Sequence, residues 1–426
     1  MYIPSPRRTP PRSVLSNLFW PLRPFDDMPS SENESPSVHF ASIRRAIQNI
    51  RSDQVHATDT NNNEPQVRNS ELELFQKQAH DRFHNLSNAN ANEFLSAAWT
   101  QKLLDAFLAC QEDFRVILSD NRTRLSKPPL DRILSDFFEK SIKALDICNA
   151  TRDGIEKIRM WQKHLEIVIC ALDCKEKMIS EGQLRRARKS LMEVAILMLD
   201  DKERGSSLFS NRNKSFGQYS TGKDNNSNNR RQSSGHTRSL SWSVSHSWSA
   251  AKQLQAMASS LVPPRANEVA ATNGLAVPVY AASSILMFVM WTLVAAIPCQ
   301  DRGLQAHFSI PRQFAWATPL LLLHDQVMEE SKKRENKNSS GLLKEVVELV
   351  KCIQYMIDLL EQVQFPITNL QSEEVEMGVN ELDRAFRACK DCVDPLERRL
   401  REVFRKIMSC RTEGLELLNR TNATTS

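Results

Sequence analysis

Residues 275–298 read LAVPVYAASSILMFVMWTLVAAIP. They lie inside a longer run, 269–300, that contains no Asp, Glu, Lys or Arg in a chain that is 25% charged. The only hydroxyl groups in the quoted stretch belong to Tyr280, Ser283, Ser284 and Thr292. About 20 apolar helical residues are needed to cross the hydrocarbon core of a bilayer, so the segment is long enough to span. A helix that is apolar on every side also occurs at the centre of a soluble bundle. Ala281, Ala282, Ala295 and Ala296 weaken the lipid signal. Pro278 falls in a first turn, where proline is tolerated, and Pro298 ends the helix. We read 275–298 as a membrane segment carried by Leu275, Val279, Ile285, Leu286, Phe288, Trp291, Leu293 and Val294, with a buried core helix as the alternative. The flanking Arg265, Arg302 and Arg312 are too evenly placed to set an orientation.

Outward from this segment the pattern is helical. The chain has 426 residues, room for two or three domains, with only 11 glycines and none before Gly154. That excludes glycine-rich phosphate loops from its first third. Residues 1–69 read as a disordered tail, with a short helix over 37–56 where Ile43, Ile47 and Ile50 recur at helical spacing. Ser70 and Glu73 form a capping box ahead of Leu72, Phe75, Ala79, Phe83 and Leu86. Further apolar stripes begin near Asn92, after Pro129 and at Leu184, and Gly154 marks a bend or a break in the third. Residues 70–204 therefore predict an N-terminal helical bundle.

Residues 205–268 change character. Sixteen of the 64 are serine, and eight bases face two acids, so the chain's +5 net charge is concentrated here. So polar a stretch reads as a disordered linker. Its positive charge suits an anionic lipid surface or simple solvation. Ser233, Ser234, Ser239 and Ser241 follow arginines and are candidate phosphorylation sites, where added phosphate would cancel the basic charge. Trp242 and Trp248 stand out within it as anchors for a membrane interface or for the bundle.

Residues 301–426 predict a C-terminal helical region. After a charged loop over 329–338, one helix runs from Leu343 to a stop at Pro366. The next carries the most regular pattern of the chain. Val379, Leu382, Phe386, Cys389, Val393, Leu396, Leu400, Val403, Ile407 and Cys410 alternate by three and four, the signature of a helix–helix seam. Pro395 predicts a kink or a restart, with Asp394 as its N-cap. The fold class is all-α: a helical bundle with long heptad-patterned C-terminal helices, one hydrophobic helix, and a disordered tail and linker.

Catalytic patterns are scarce. His80 and His84 share a helical face but lack the glutamate of a zinc-protease motif and a third ligand. Cys389 and Cys392 form a lone pair, and Cys389 already serves the seam. The nine cysteines are scattered through helical stretches, as in a reduced compartment. The basic cluster Arg185, Arg186, Arg188 and Lys189 reads as a solvated face, without the interleaved aromatics that single-strand nucleic-acid binders use. No catalytic residue, cofactor, metal or nucleic-acid partner is expected.

Several blocks carry a resemblance. They are 51–56 (RSDQVH), 71–83 (ELELFQKQAHDRF), 102–118 (KLLDAFLACQEDFRVIL), 127–162, 238–257 (RSLSWSVSHSWSAAKQLQAM) and 289–304 (VMWTLVAAIPCQDRGL). Together they resemble the plant BYPASS/ROH-type family, closer to its ROH branch. The resemblance implies a helical, non-enzymatic protein. For the ROH branch it implies association with an exocyst subunit, and so with polarised secretion and cell-wall or mucilage deposition. For the BYPASS branch it implies restraint of a mobile root-to-shoot developmental signal. We therefore expect an adaptor at membranes and in the cytoplasm. The Arg- and Ser-containing N-terminus offers the chloroplast as an alternative.

Overall fold

The computed structural model describes residues 63–173, 179–203, 249–299, 309–335 and 341–423. The expected helix over 37–56, the four candidate phosphorylation serines, Trp242 and Trp248 lie outside the described residues. Within them the elements are α1 (Asn63–Ser87), α2 (Ala97–Asp120), a 3-10 turn (Arg122–Arg124), α3 (Leu130–Leu172), α4 (Glu181–Glu203), α5 (Ala250–Ser259), α6 (Ala266–Ala271), α7 (Ala276–Ala296), α8 (Ala317–Glu335), α9 (Lys344–Gln362) and α10 (Asn369–Ala423). No strand occurs among the described residues.

Two long helices organise the rest. At 1.5 Å per residue, α3 is about 65 Å long and α10 about 80 Å. They run antiparallel, because Arg159 of α3 meets Asp394 of α10 while Phe138 meets Gly414. Beside the second half of α3 and the first half of α10 lie α4 and α9, closing a four-helix end. There Ser190 of α4 donates to the His164 carbonyl of α3 at 2.8 Å. Along the other halves α7 packs on α3 and α2 on α10, and α1 and α8 pack on α7 and on each other, with α1 also on α2. One hydrophobic cluster runs through the whole assembly, so the helices of 70–204 and those of 301–426 share a single core.

The uncharged segment is the centre of that core. Every residue of α7 is buried, and the helix packs against α1, α2, α3, α5, α6 and α8. Its length and composition suffice for a membrane crossing, yet protein covers all of its surface. The eight apolar residues singled out from Leu275 to Val294 all face other side chains. In this structure the segment lies in the protein interior. Three of its four hydroxyls are satisfied within the helix: those of Ser283, Ser284 and Thr292 donate to the carbonyls of Val279, Tyr280 and Phe288, each at 2.9 Å.

The ends of α7 are closed from outside. A helix leaves its last carbonyls without intrahelical donors. Here Leu342 N–H donates to the Ala295 carbonyl at 3.0 Å and Leu343 N–H to that of Ala296 at 2.9 Å. The approach is tight, since a Cβ on Gly341 would lie 2.5 Å from the Ala296 carbonyl oxygen, and its φ of +121° is one that other residues rarely adopt. The next residues continue the lock. Lys344 N–H donates to the Leu95 carbonyl, and both Glu345 carboxylate oxygens accept from Ala97 N–H at the start of α2.

Several local expectations are corrected. Ser70 and Glu73 do not cap a helix, because α1 starts at Asn63 and places both in its interior. Gly154 does not break α3, which is continuous through it. It is the point where the chain after α7 crosses, and a Cβ there would lie 2.3 Å from the Pro298 carbonyl oxygen. Pro395 does not restart the last helix, which is continuous through it. The charged loop begins later than expected, because α8 continues to Glu335. The linker is shorter than 205–268. Ser249 caps α5 by accepting from Lys252 N–H, and Ala250, Leu254 and Met257 bury against α3 and α7.

These glycines give a paired prediction. Gly154→Ala should destabilise the protein by about 1–3 kcal/mol, since backbone atoms must move to admit the methyl group. Gly182→Ala, at a helical position with nothing within 4 Å, should be neutral or stabilise by up to about 1 kcal/mol. Urea unfolding of both variants checks the opposite signs.

Candidate interaction surface

The seam of α10 is satisfied within the chain. Val379, Leu382, Phe386, Val393, Leu396, Leu400, Val403 and Ile407 are all buried. The first half of α10 packs on α9, and the helix also lies along α2 and α3. Three helices thus share the partner's role that the heptads predict, and the apolar stripe is not left open to another protein.

Charged residues flank the seam on both sides. Toward α2, Arg399, Lys406 and Glu413 recur every seven residues, the first two just before the seam residues Leu400 and Ile407. Arg399 meets Asp105 at 2.8 Å, Lys406 meets Glu112, and Glu413 meets Arg115 at 3.4 Å. Toward α3, Arg159 bonds Asp394 at 2.7 Å and Glu397 at 2.5 Å, and Arg401 reaches Glu397 from the opposite side. Glu397 is only 6% exposed. Burial pushes its carboxyl up, but the hydrogen bonds from Arg159 and Arg401 outweigh that and hold it below the usual range. Asp394 serves this pairing rather than a helix cap.

The basic cluster on α4 divides. Arg185 pairs with Glu181 on the exposed face. Arg188 instead turns inward and donates to the carbonyls of Leu360 and Val363, the last orphan acceptors of α9. Its spacing in sequence gave no signal of this role, because the acceptors lie more than 170 residues away.

The remaining candidates stay structural. His80 and His84 stack with ring centroids 5.5 Å apart, and no group of three or more metal-ligating residues occurs among the described residues. Cys389 is buried in the seam, and Cys392 donates its thiol to the Cys389 carbonyl. The eight described cysteines are free thiols. Burial pushes the Cys148 and Cys410 thiols up to about 12, which makes them inert at neutral pH. What the surface offers is faces of long helices.

Residues 35–418 match the model of the family described as Protein ROH1-like. The chain belongs to this family. Protein ROH1D of Arabidopsis thaliana is 48% identical over 390 residues, covering 89% of this chain and 97% of that protein. Protein ROH1A of Arabidopsis thaliana is 35% identical over 420 residues, covering 92% of this chain and 97% of its own length. No solved structure matches. Membership in the ROH1-like family agrees with the resemblance read from the sequence blocks.

The charged flank gives a pH prediction. Hydrogen bonds from Arg115 and Lys406 hold the Glu112 carboxyl down, from 4.5 to about 2. A depressed carboxyl contributes stability above its unfolded value and loses it as pH falls toward its folded value. The stability difference between wild type and Glu112→Gln should therefore be full at pH 5–6 and vanish progressively below about pH 4, as thermal melts across this range would record.

Proposed function

We propose that this ROH1-like protein is a non-enzymatic adaptor that works at membranes by binding an exocyst subunit, and thereby modulates polarised secretion or cell-wall and mucilage deposition. The observation that carries this reading is the family match across residues 35–418, because the ROH branch is the one whose resemblance implies the exocyst. The fold is compatible with it: a rigid body more than one helix long, stiffened by two antiparallel rods, presents extended helical faces rather than a cleft built around convergent polar groups. In this reading the membrane is reached peripherally. The basic stretch within 205–268 supplies attraction to anionic lipid, and α7 stays in the core.

A second reading is a soluble cytosolic regulator that restrains a mobile root-to-shoot signal. The enclosure of α7 favours a soluble body, and both readings share that body.

Two measurements on plant membranes separate the possibilities. After carbonate extraction the protein should appear in the supernatant. Retention in the pellet would mean that α7 spans the bilayer. Immunoprecipitation of the tagged full chain should recover exocyst subunits, and their absence under conditions that preserve the assembled complex would remove the adaptor reading.

A further inference from the structure

The hairpin of α9 and α10 has an outer face that nothing in the chain's described residues covers. Leu370 is 78% exposed, Met377 63%, Tyr355 44% and Phe365 43%. Leu370 and Met377 are seven residues apart on α10, on the side away from its seam. Tyr355 of α9 lies against the same stretch, with its ring 3.2 Å from where a Gly378 Cβ would be. Phe365 sits in the connection between the two helices. Four exposed apolar side chains on one hairpin offer apolar area to a contact.

Its charge is one-sided. Residues 354–383 contain seven Asp or Glu and no Lys or Arg. Glu381 pairs with Arg384 and Asp383 with Arg387, both outside that stretch. Asp358, Glu361, Glu373, Glu374 and Glu376 are exposed and form no ion pair among the described residues. This acidic field repels anionic lipid and nucleic acid. It also opposes self-pairing, since a two-fold contact would set the same acids face to face. It attracts a cation that brings its own apolar surface.

We propose that the outer face of the α9–α10 hairpin docks a basic amphipathic helix of a partner protein. Leu370 and Met377 receive the partner's apolar stripe, and Tyr355 lies at its edge. The five unpaired acids steer and orient its Lys and Arg residues. The proposal rests on the adaptor reading only in that the chain works by binding a protein, and it assigns that contact to this hairpin.

The test uses the full chain and a fluorescein-labelled amphipathic Leu/Lys peptide of about 18 residues, long enough to form a helix on binding. A matched Leu/Glu peptide is the control, and anisotropy is the readout. The Leu/Lys peptide should bind and the Leu/Glu peptide should not. Leu370→Ser with Met377→Ser should weaken binding at least about tenfold, as should Glu373→Lys with Glu374→Lys and Glu376→Lys. Leu322→Ser, which removes an exposed leucine on α8, should leave it unchanged. All of these positions are exposed, so circular dichroism should show every variant folded. Equal binding by wild type and both hairpin variants would overturn the proposal. So would binding seen only after residues 205–248 are removed, because the chain's own basic segment would then be the occupant. A dimer abolished by the hairpin substitutions would overturn it in favour of a second copy. If the peptide binds as expected but exocyst subunits do not co-purify, the docking face stands and the exocyst reading alone falls.

Discussion

A helix with no charged residue and no polar face must be hidden on every side, and this requirement shapes the whole ROH1-like fold. One neighbouring helix covers only a stripe of a cylinder. Covering α7 takes α1, α2, α3, α5, α6 and α8. These come from both sides of it in the chain, so no half of the sequence can complete the core alone. Close packing makes the enclosure strict. Where the chain leaves α7, Gly154 and Gly341 are the residues that allow backbone to lie against backbone. The hydrogen bonds from Leu342 and Leu343 then close the end of the helix with a segment some 45 residues further on.

The second constraint is alignment. The apolar seam of α10 would tolerate sliding by a heptad. The charges beside it do not, because Arg399, Lys406 and Glu413 each have a fixed opposite number on α2, and Arg159 holds Asp394 and Glu397 from α3. Exposed pairs such as Arg399 with Asp105 contribute little stability singly. Glu397 differs, since losing Arg159 would leave a buried carboxylate short of a partner. Burial therefore supplies most of the cohesion, and the ion pairs supply register.

Much of this was legible in the sequence and the reasons for the remainder are physical. Heptad spacing identified the buried face of α10 residue by residue, because helical period alone decides which positions share a face. It did not identify the partner, since three helices divide the seam. The length and apolarity of 275–298 identified a helix removed from water, but hydropathy reads the same for lipid and for protein. Ser70 and Glu73 have the spacing of a cap, and only the extension back to Asn63 makes them interior residues. Ala250, Leu254 and Met257 are too few to stand out in a serine-rich stretch, yet three buried residues and the Ser249 cap are enough to dock a short helix. Arg188 looked like surface charge because its acceptors, the carbonyls ending α9, become neighbours only on folding. The acids of the α9–α10 hairpin were visible as composition, but only the packing shows that Leu370 and Met377 lie on the uncovered side.

The adaptor role we propose needs a rigid frame and a few faces left open, and this fold separates the two. The frame is the sealed core around α7. The most direct test of that arrangement is hydrogen exchange on the full chain purified without detergent, followed for the amides of 280–294. The account predicts a soluble protein in which these amides exchange last, at the rate set by global unfolding. A chain that stays in solution only with detergent, or amides in this stretch that exchange as fast as those of the helix ends, would contradict it.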